Sequence, residues 1–113
     1  MTPIDRLQHE FEEGAFLLQL RKDMHWDRDA FRTLVDTMED YLRSERDHES
    51  IPRWIACDFW HLDWFVKQWS SHENFPRAYP HAYYASAWER LNSLAFQLFL
   101  EGPSETPLPP FDR

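Results

Sequence analysis

Apolar residues recur at helical spacing along most of the chain, and the clearest run lies in residues 28–46. Asp27 precedes this run as a candidate N-cap. Positions i, i+3, i+4 and i+7 of a helix share one face, so the periodicity predicts an amphipathic helix over about residues 28–46. Its apolar positions are Phe31, Leu34, Val35, Met38, Tyr41 and Leu42, and its charged face carries Asp29, Arg32, Asp36, Asp40 and Arg43.

An earlier helix is predicted over about residues 3–23. Thr2 is its candidate N-cap, and Pro3 occupies the first helical position, where a missing N–H does no harm. One face is apolar through Ile4, Leu7, Phe11 and Leu18. Gly14 lies in the middle and weakens a helix by about 1 kcal/mol relative to alanine. We therefore expect a single helix, and any kink or break in it should fall near Gly14.

The third predicted helix, about residues 51–71, is apolar on two sides. A broad arc contains Trp54, Ile55, Phe59, Leu62, Phe65, Val66 and Trp69, and a second stripe contains Cys57, Trp60 and Trp64. Only a narrow strip formed by Ala56, Asp63, Lys67 and Ser70 is suited to water, with Asp63 and Lys67 spaced as an i,i+4 ion pair. Such a helix is either central to a bundle or presents one side to a partner.

The last predicted helix begins at Pro80 and ends near Glu101. Its apolar stripe contains Tyr84, Ala87, Trp88, Leu91, Leu94, Ala95, Leu98 and Phe99. Gly102 is a candidate C-cap, and the four prolines in residues 103–113 predict an extended tail. The chain should thus fold as an all-α, compact single-domain bundle of four main helices in residues 1–102, followed by the tail, with the third helix at its centre by default.

Composition agrees with a helical domain and limits the partners. Hydrophobic residues make up 42% of the 113 positions and there are only two glycines, which disfavours disorder and turn-rich β folds. The formal net charge is −8. Nucleic acid and anionic membranes attract basic surfaces, so direct binding to either is disfavoured, whereas a basic protein partner is favoured.

Cysteine usage and hydropathy suggest the cytoplasm. Cys57 is the only cysteine, which suits a reducing compartment. The first 13 residues are acidic and contain no apolar run of the kind found in signal peptides. No apolar stretch is long and uncharged enough to span a bilayer.

Candidate chemistry is sparse. Asp58 and His61 have the i, i+3 spacing used in di-iron bundles, but a second such pair is missing from the sequence. Asp58 is more simply a buried carboxylate paired with a donor. Cys57 and His61 are one turn apart, yet a small core cysteine is the simpler interpretation. Without a glycine-rich phosphate loop or a catalytic set, we expect no enzyme, no cofactor and no metal site.

Aromatic residues near acidic ones are the remaining functional signal. Tryptophan and tyrosine anchor many protein interfaces. The candidate partner-binding residues are Trp60, Asp63, Trp64, Phe75, Tyr79 and Tyr83. The competing interpretation is that these rings simply fill the core of a small bundle.

Three segments, LLQLRKDMHWD (17–27), IPRWIACDFWHLDWFVKQW (51–69) and NFPR (74–77), give the chain a resemblance to immunity proteins of bacterial contact-dependent inhibition and related polymorphic toxin systems. The resemblance is one of general character and spans all four predicted helices. It implies a small cytoplasmic protein that binds and neutralises a cognate toxin domain, often a nuclease. Two alternatives stay open: a small metal- or cofactor-binding bundle using Asp58 and His61, and an adaptor subunit that oligomerises.

Overall fold

The computed structural model describes the backbone of residues 2–45 and 50–101 and the side chains of residues 2–45 and 50–99. These residues form helices and their connections, without a β-strand. The helices are α1 (Pro3–Glu13), α2 (Ala15–Asp23), α3 (Arg28–Ser44), α4 (Arg53–Ser71) and α5 (His81–Phe96), and a π-helical turn (Gln97–Glu101) extends α5. The predicted all-α architecture of four main helices is confirmed, with the first helix divided into α1 and α2.

The division falls at Gly14. Thr2 and Asp5 form a reciprocal capping box at the start of α1, as the predicted N-cap requires. At the other end, Gly14 has an extended ψ of 145°, and its N–H donates to the carbonyl of Glu10. A Cβ at position 14 would lie only 2.4 Å from that carbonyl oxygen. Because it has no Cβ, Gly14 therefore lets the chain pass close to the Glu10 carbonyl between α1 and α2.

The connection between α2 and α3 contributes a central part of the core. Met24 ends α2 in the left-handed region, with φ 50°, and Asp27 caps α3 by accepting from the Ala30 N–H at 3.0 Å. Between them, the Trp26 ring is 97% buried, and its centre lies within 5.0 Å of those of Phe16 and Phe31. Sequence periodicity treats Trp26 as part of a linker, because a buried loop residue has no helical neighbours to reveal it.

Helix α3 contacts more of the other helices than α4 does. Its backbone packs against α1, α2 and α5, whereas the closest neighbour of the α4 backbone is α5. The expectation that the tryptophan-rich helix lies at the centre is therefore wrong. The reason is that only one side of α4 is covered: Ile55, Phe59, Leu62 and Val66 enter the core, where Phe59 meets Phe11 and Tyr41.

A buried ion pair joins α3 to α5. Nη1 of Arg90 lies 3.3 and 3.5 Å from the two carboxylate oxygens of Glu39, and the two side chains are only 9% and 18% exposed. Burial raises the pKa of Glu39 above its ordinary value, and the charge of Arg90 opposes that rise. The pair thus places charge inside the joint between two helices.

Several predictions fall outside the described residues. These are the end of the second predicted helix at residue 46, the C-cap Gly102 and the tail at 103–113. No helix in residues 2–45 or 50–101 combines the length and apolar character needed to cross a membrane.

Candidate functional site

The second apolar stripe of α4 faces solvent. The side chains of Trp60 and Trp64 are 62% and 52% exposed, one helical turn apart. Cys57, which begins the stripe, is also exposed, so its assignment to the core is wrong. All three residues lie on the side of α4 away from Ile55, Phe59 and Val66, which are buried.

Two residues of the strip predicted to face water, Asp63 and Ser70, instead contact α5, whereas Lys67 is exposed as expected. Ser70 is fully buried: its hydroxyl donates to the Val66 carbonyl at 2.6 Å and accepts from Nε1 of Trp88 at 2.9 Å. Asp63 is half-buried and accepts from Nδ2 of Asn92 at 3.1 Å. The expected Asp63–Lys67 ion pair is not seen in the described part of the chain. Small and polar side chains are used here because they allow α4 and α5 to approach and to bond across the contact.

A groove of approximately 520 Å³ lies along this contact between α4 and α5. It is lined by Trp60, Asp63, Trp64, Lys67 and Gln68 from α4 and by Ala85, Trp88, Glu89 and Asn92 from α5. Three indoles and two carboxylates thus share one solvent-accessible surface, which we call the α4–α5 groove. Its residues come from two segments, 60–68 and 85–92, and the pattern of either helix alone does not show that they meet.

The site residues predicted from the sequence do not include Trp88, Glu89 and Asn92. Helical periodicity assigns Trp88 to the core stripe, and its ring is in fact half-buried, with one edge fixed by the bond to Ser70. The signal that could have identified this residue is the polar Ser70 on the facing helix. A buried indole N–H requires an acceptor, and Ser70 provides one.

The other predicted binding residues lie away from the groove lining. Phe75 is 3% exposed and belongs to the core, in agreement with the competing interpretation that these rings fill the core. Tyr79 and Tyr83 are half-buried, and the guanidinium of Arg28 lies 5.2 and 4.8 Å from their ring centres. Tyr83 also accepts from Nε1 of Trp26 at 2.9 Å. The structure therefore brings together Trp60, Asp63 and Trp64 and separates them from the other three.

Asp58 is half-buried. The expected hydrogen-bond donor to its carboxylate is not seen within residues 2–45 and 50–101. Burial raises its pKa, while the electrostatic interactions with His61 and Arg21 act in the opposite direction. The His61 ring stacks on Phe65 with centres 5.5 Å apart. Among the described residues, no three His, Cys, Asp or Glu side chains converge as metal ligands.

No protein-family model, no curated protein and no solved structure matches the sequence. The function must therefore be inferred from the site itself. Aromatic rings exposed on a rigid helix, with carboxylates beside them, are suited to binding a protein with basic side chains. The α4–α5 groove is accordingly the best candidate site in the described part of the chain.

Proposed function

We propose that this protein is a cytoplasmic immunity protein that binds a basic toxin domain, such as a nuclease, and neutralises it without catalysis. The single observation that carries this proposal is the exposure of Trp60 and Trp64 side by side on α4. The resemblance of residues 17–27, 51–69 and 74–77 to immunity proteins points to the same function.

Exposed tryptophans are informative because each leaves a large apolar area in water. Burying such area contributes about 25 cal/mol per Å², and tryptophan is among the residues that most often dominate binding energy. Helix α4 is 19 residues long and packed along one side, so it holds the two indoles on a fixed support. A tryptophan side chain has only two χ angles, so each indole loses little side-chain entropy when a partner covers it.

The charge of the chain favours a basic partner. With a net charge of −8, two copies of this protein repel one another at long range, whereas a basic domain is attracted. Nucleases bind the phosphate backbone through lysine and arginine. An acidic protein that covers such a surface competes with the nucleic acid, so occlusion is sufficient for inhibition.

The experiment begins with the gene immediately upstream of this one. We expect it to encode a toxin domain whose expression stops growth, and co-expression of this protein should restore growth and yield a co-purifying complex. Trp64→Ala should weaken the complex by about tenfold or more, in line with interface hot spots. Leu18→Ala, at a 52% exposed side chain on α2, is the matched control and should protect like the wild type.

Circular dichroism of both variants separates binding from folding. Loss of protection by Trp64→Ala with unchanged helicity supports the proposal. Absence of protection and of a complex with the wild-type protein overturns it. If light scattering instead gives a stable oligomer that the Trp64→Ala substitution dissociates, the exposed stripe joins copies of the chain, and the adaptor alternative replaces the immunity function.

A further inference from the structure

The α4–α5 groove combines aromatic faces with negative charge, which is the combination that binds an organic cation. We propose that it receives an arginine side chain of the partner, with the guanidinium against the indoles of Trp60 and Trp64 and its N–H groups directed to Asp63 and Glu89. This inference rests on the proposed function and specifies the chemical group by which the basic partner is anchored.

The charges of the lining favour a cation. Asp63 and Glu89 contribute two negative charges, and Lys67 contributes one positive charge, so the lining carries a net charge of −1. Asn92 donates to Oδ2 of Asp63 at 3.1 Å, which holds the carboxylate in position. The Oδ1 atom makes no hydrogen bond to the described residues and is available to an incoming donor.

The chain already contains cation–aromatic contacts of this kind. Arg28 lies over Tyr79 and Tyr83, and the guanidinium of Arg21 lies 5.4 Å from the ring centre of Phe65. Tryptophan binds cations more strongly than phenylalanine or tyrosine does. The indoles of Trp60 and Trp64 are thus the better partners for a cation, and none of the cation–aromatic contacts seen in the described residues uses them.

Arginine fits this lining better than lysine. Its guanidinium is planar, is more weakly hydrated than an ammonium group, and can stack on a ring while its N–H groups bond to carboxylates at its edge. A volume of approximately 520 Å³ leaves room for such a head group together with part of its stem. Arginine is also a residue with which nucleases hold phosphates, so its capture here would remove a group that the toxin needs.

The test uses the isolated protein and needs no toxin. N-acetyl-arginine amide is titrated while the indole N–H signals are followed by NMR, and N-acetyl-citrulline amide, which is neutral and of similar shape, is the control. We expect saturable shifts of the Trp60, Trp64 and Trp88 signals with the arginine compound only. Weak affinity does not hide the effect, because NMR follows millimolar binding directly.

Variants locate the cation. Asp63→Asn combined with Glu89→Gln should weaken arginine binding about fivefold, since each partly exposed charge contributes modestly. Glu13→Gln combined with Glu73→Gln changes the net charge equally at exposed positions outside the lining and should leave the affinity unchanged. Lys67→Gln removes the competing positive charge and should strengthen binding.

The inference is overturned if the citrulline compound shifts the same signals equally, if neither compound shifts them, or if the Asp63 and Glu89 variants bind arginine like the wild type. Each of these results is independent of the growth experiment. Protection from the toxin without arginine binding means that the partner docks by other contacts. Arginine binding without protection supports the groove chemistry and overturns the immunity function instead.

Discussion

Two buried tyrosines show how the same residue type can have opposite effects on stability. Tyr41 on α3 and Tyr84 on α5 are both 0% exposed. The Tyr84 hydroxyl accepts from the backbone N–H groups of Ala78 and Tyr79 at 3.1 and 3.4 Å, which ties the α4–α5 loop to the core. The Tyr41 hydroxyl has no hydrogen-bond partner within the described residues. Burial, with a smaller effect of Glu45, raises the pKa of Tyr41 to about 12.

The two hydroxyls can be compared by the same substitution. Tyr41→Phe removes an unsatisfied buried group and should stabilise the fold by about 1 kcal/mol, whereas Tyr84→Phe leaves two N–H groups without their acceptor and should destabilise it by about 1 to 2 kcal/mol. Urea denaturation at pH 7 followed by circular dichroism measures both free energies of unfolding. Equal losses from both substitutions would mean that the Tyr41 hydroxyl is satisfied in solution.

At the scale of the helix, sequence periodicity predicts that a segment is helical more reliably than it predicts what covers each face. The spacing correctly predicts α3 with its Asp27 cap, because one side is wholly apolar and the other charged. On α4 both sides are apolar, so periodicity cannot tell the core side from the exposed one. The deciding contacts, Ser70 with Trp88 and Asp63 with Asn92, come from α5 and cannot be read from α4 alone.

Gly14 gives a second example in which the surroundings of a residue reverse an argument from the sequence. Helix propensity by itself predicts that Gly14→Ala stabilises the protein by about 1 kcal/mol. However, Gly14 ends α1 rather than lying inside a helix, and an added Cβ would come within 2.4 Å of the Glu10 carbonyl oxygen and 2.8 Å of its Cα. Both are backbone atoms, which cannot move aside as a flexible side chain can.

We therefore expect Gly14→Ala to destabilise the protein by about 1 to 3 kcal/mol, the usual range for overpacking. The measurement is the urea midpoint relative to the wild type. Glu12→Ala, an exposed change two residues earlier, is the control and should change stability by less than about 0.5 kcal/mol. A higher midpoint for Gly14→Ala would mean that α1 and α2 join into one continuous helix.

At the scale of the whole molecule, two groups of helices pack together, through the α3–α5 contact and through contacts such as that of Phe59 with Phe11 and Tyr41. Helices α1 and α2 pack on α3, α4 packs on α5, and α3 meets α5 where Arg90 lies against Glu39. The candidate site depends on this arrangement, since α5 supplies one side of the groove. The joint between α3 and α5 thus supports the helix that, with α4, forms the α4–α5 groove.

The ion pair in that joint provides a test of how the two groups of helices are held together. Arg90→Met removes a positive charge that stabilises the ionised Glu39 carboxylate. It should destabilise the fold by about 3 kcal/mol at neutral pH, because a half-buried carboxylate is left without its partner. Thermal and urea unfolding measure this loss. A loss below about 1 kcal/mol would mean that apolar contacts alone hold the joint.

The pH dependence of that variant shows whether the Glu39 charge is the cause. Without Arg90, the folded-state pKa of Glu39 rises further above its ordinary value of 4.5, so the folded protein retains a proton that the unfolded chain has already released. Stability is then lost as the pH rises from the unfolded pKa through the folded one. Arg90→Met should therefore be much closer to the wild type at about pH 4 than at about pH 7. Combining Arg90→Met with Glu39→Leu removes both charges and should restore most of the stability at either pH. A loss of stability that is the same at both pH values and persists in the double variant would mean that Arg90 acts through its packing and not through its charge.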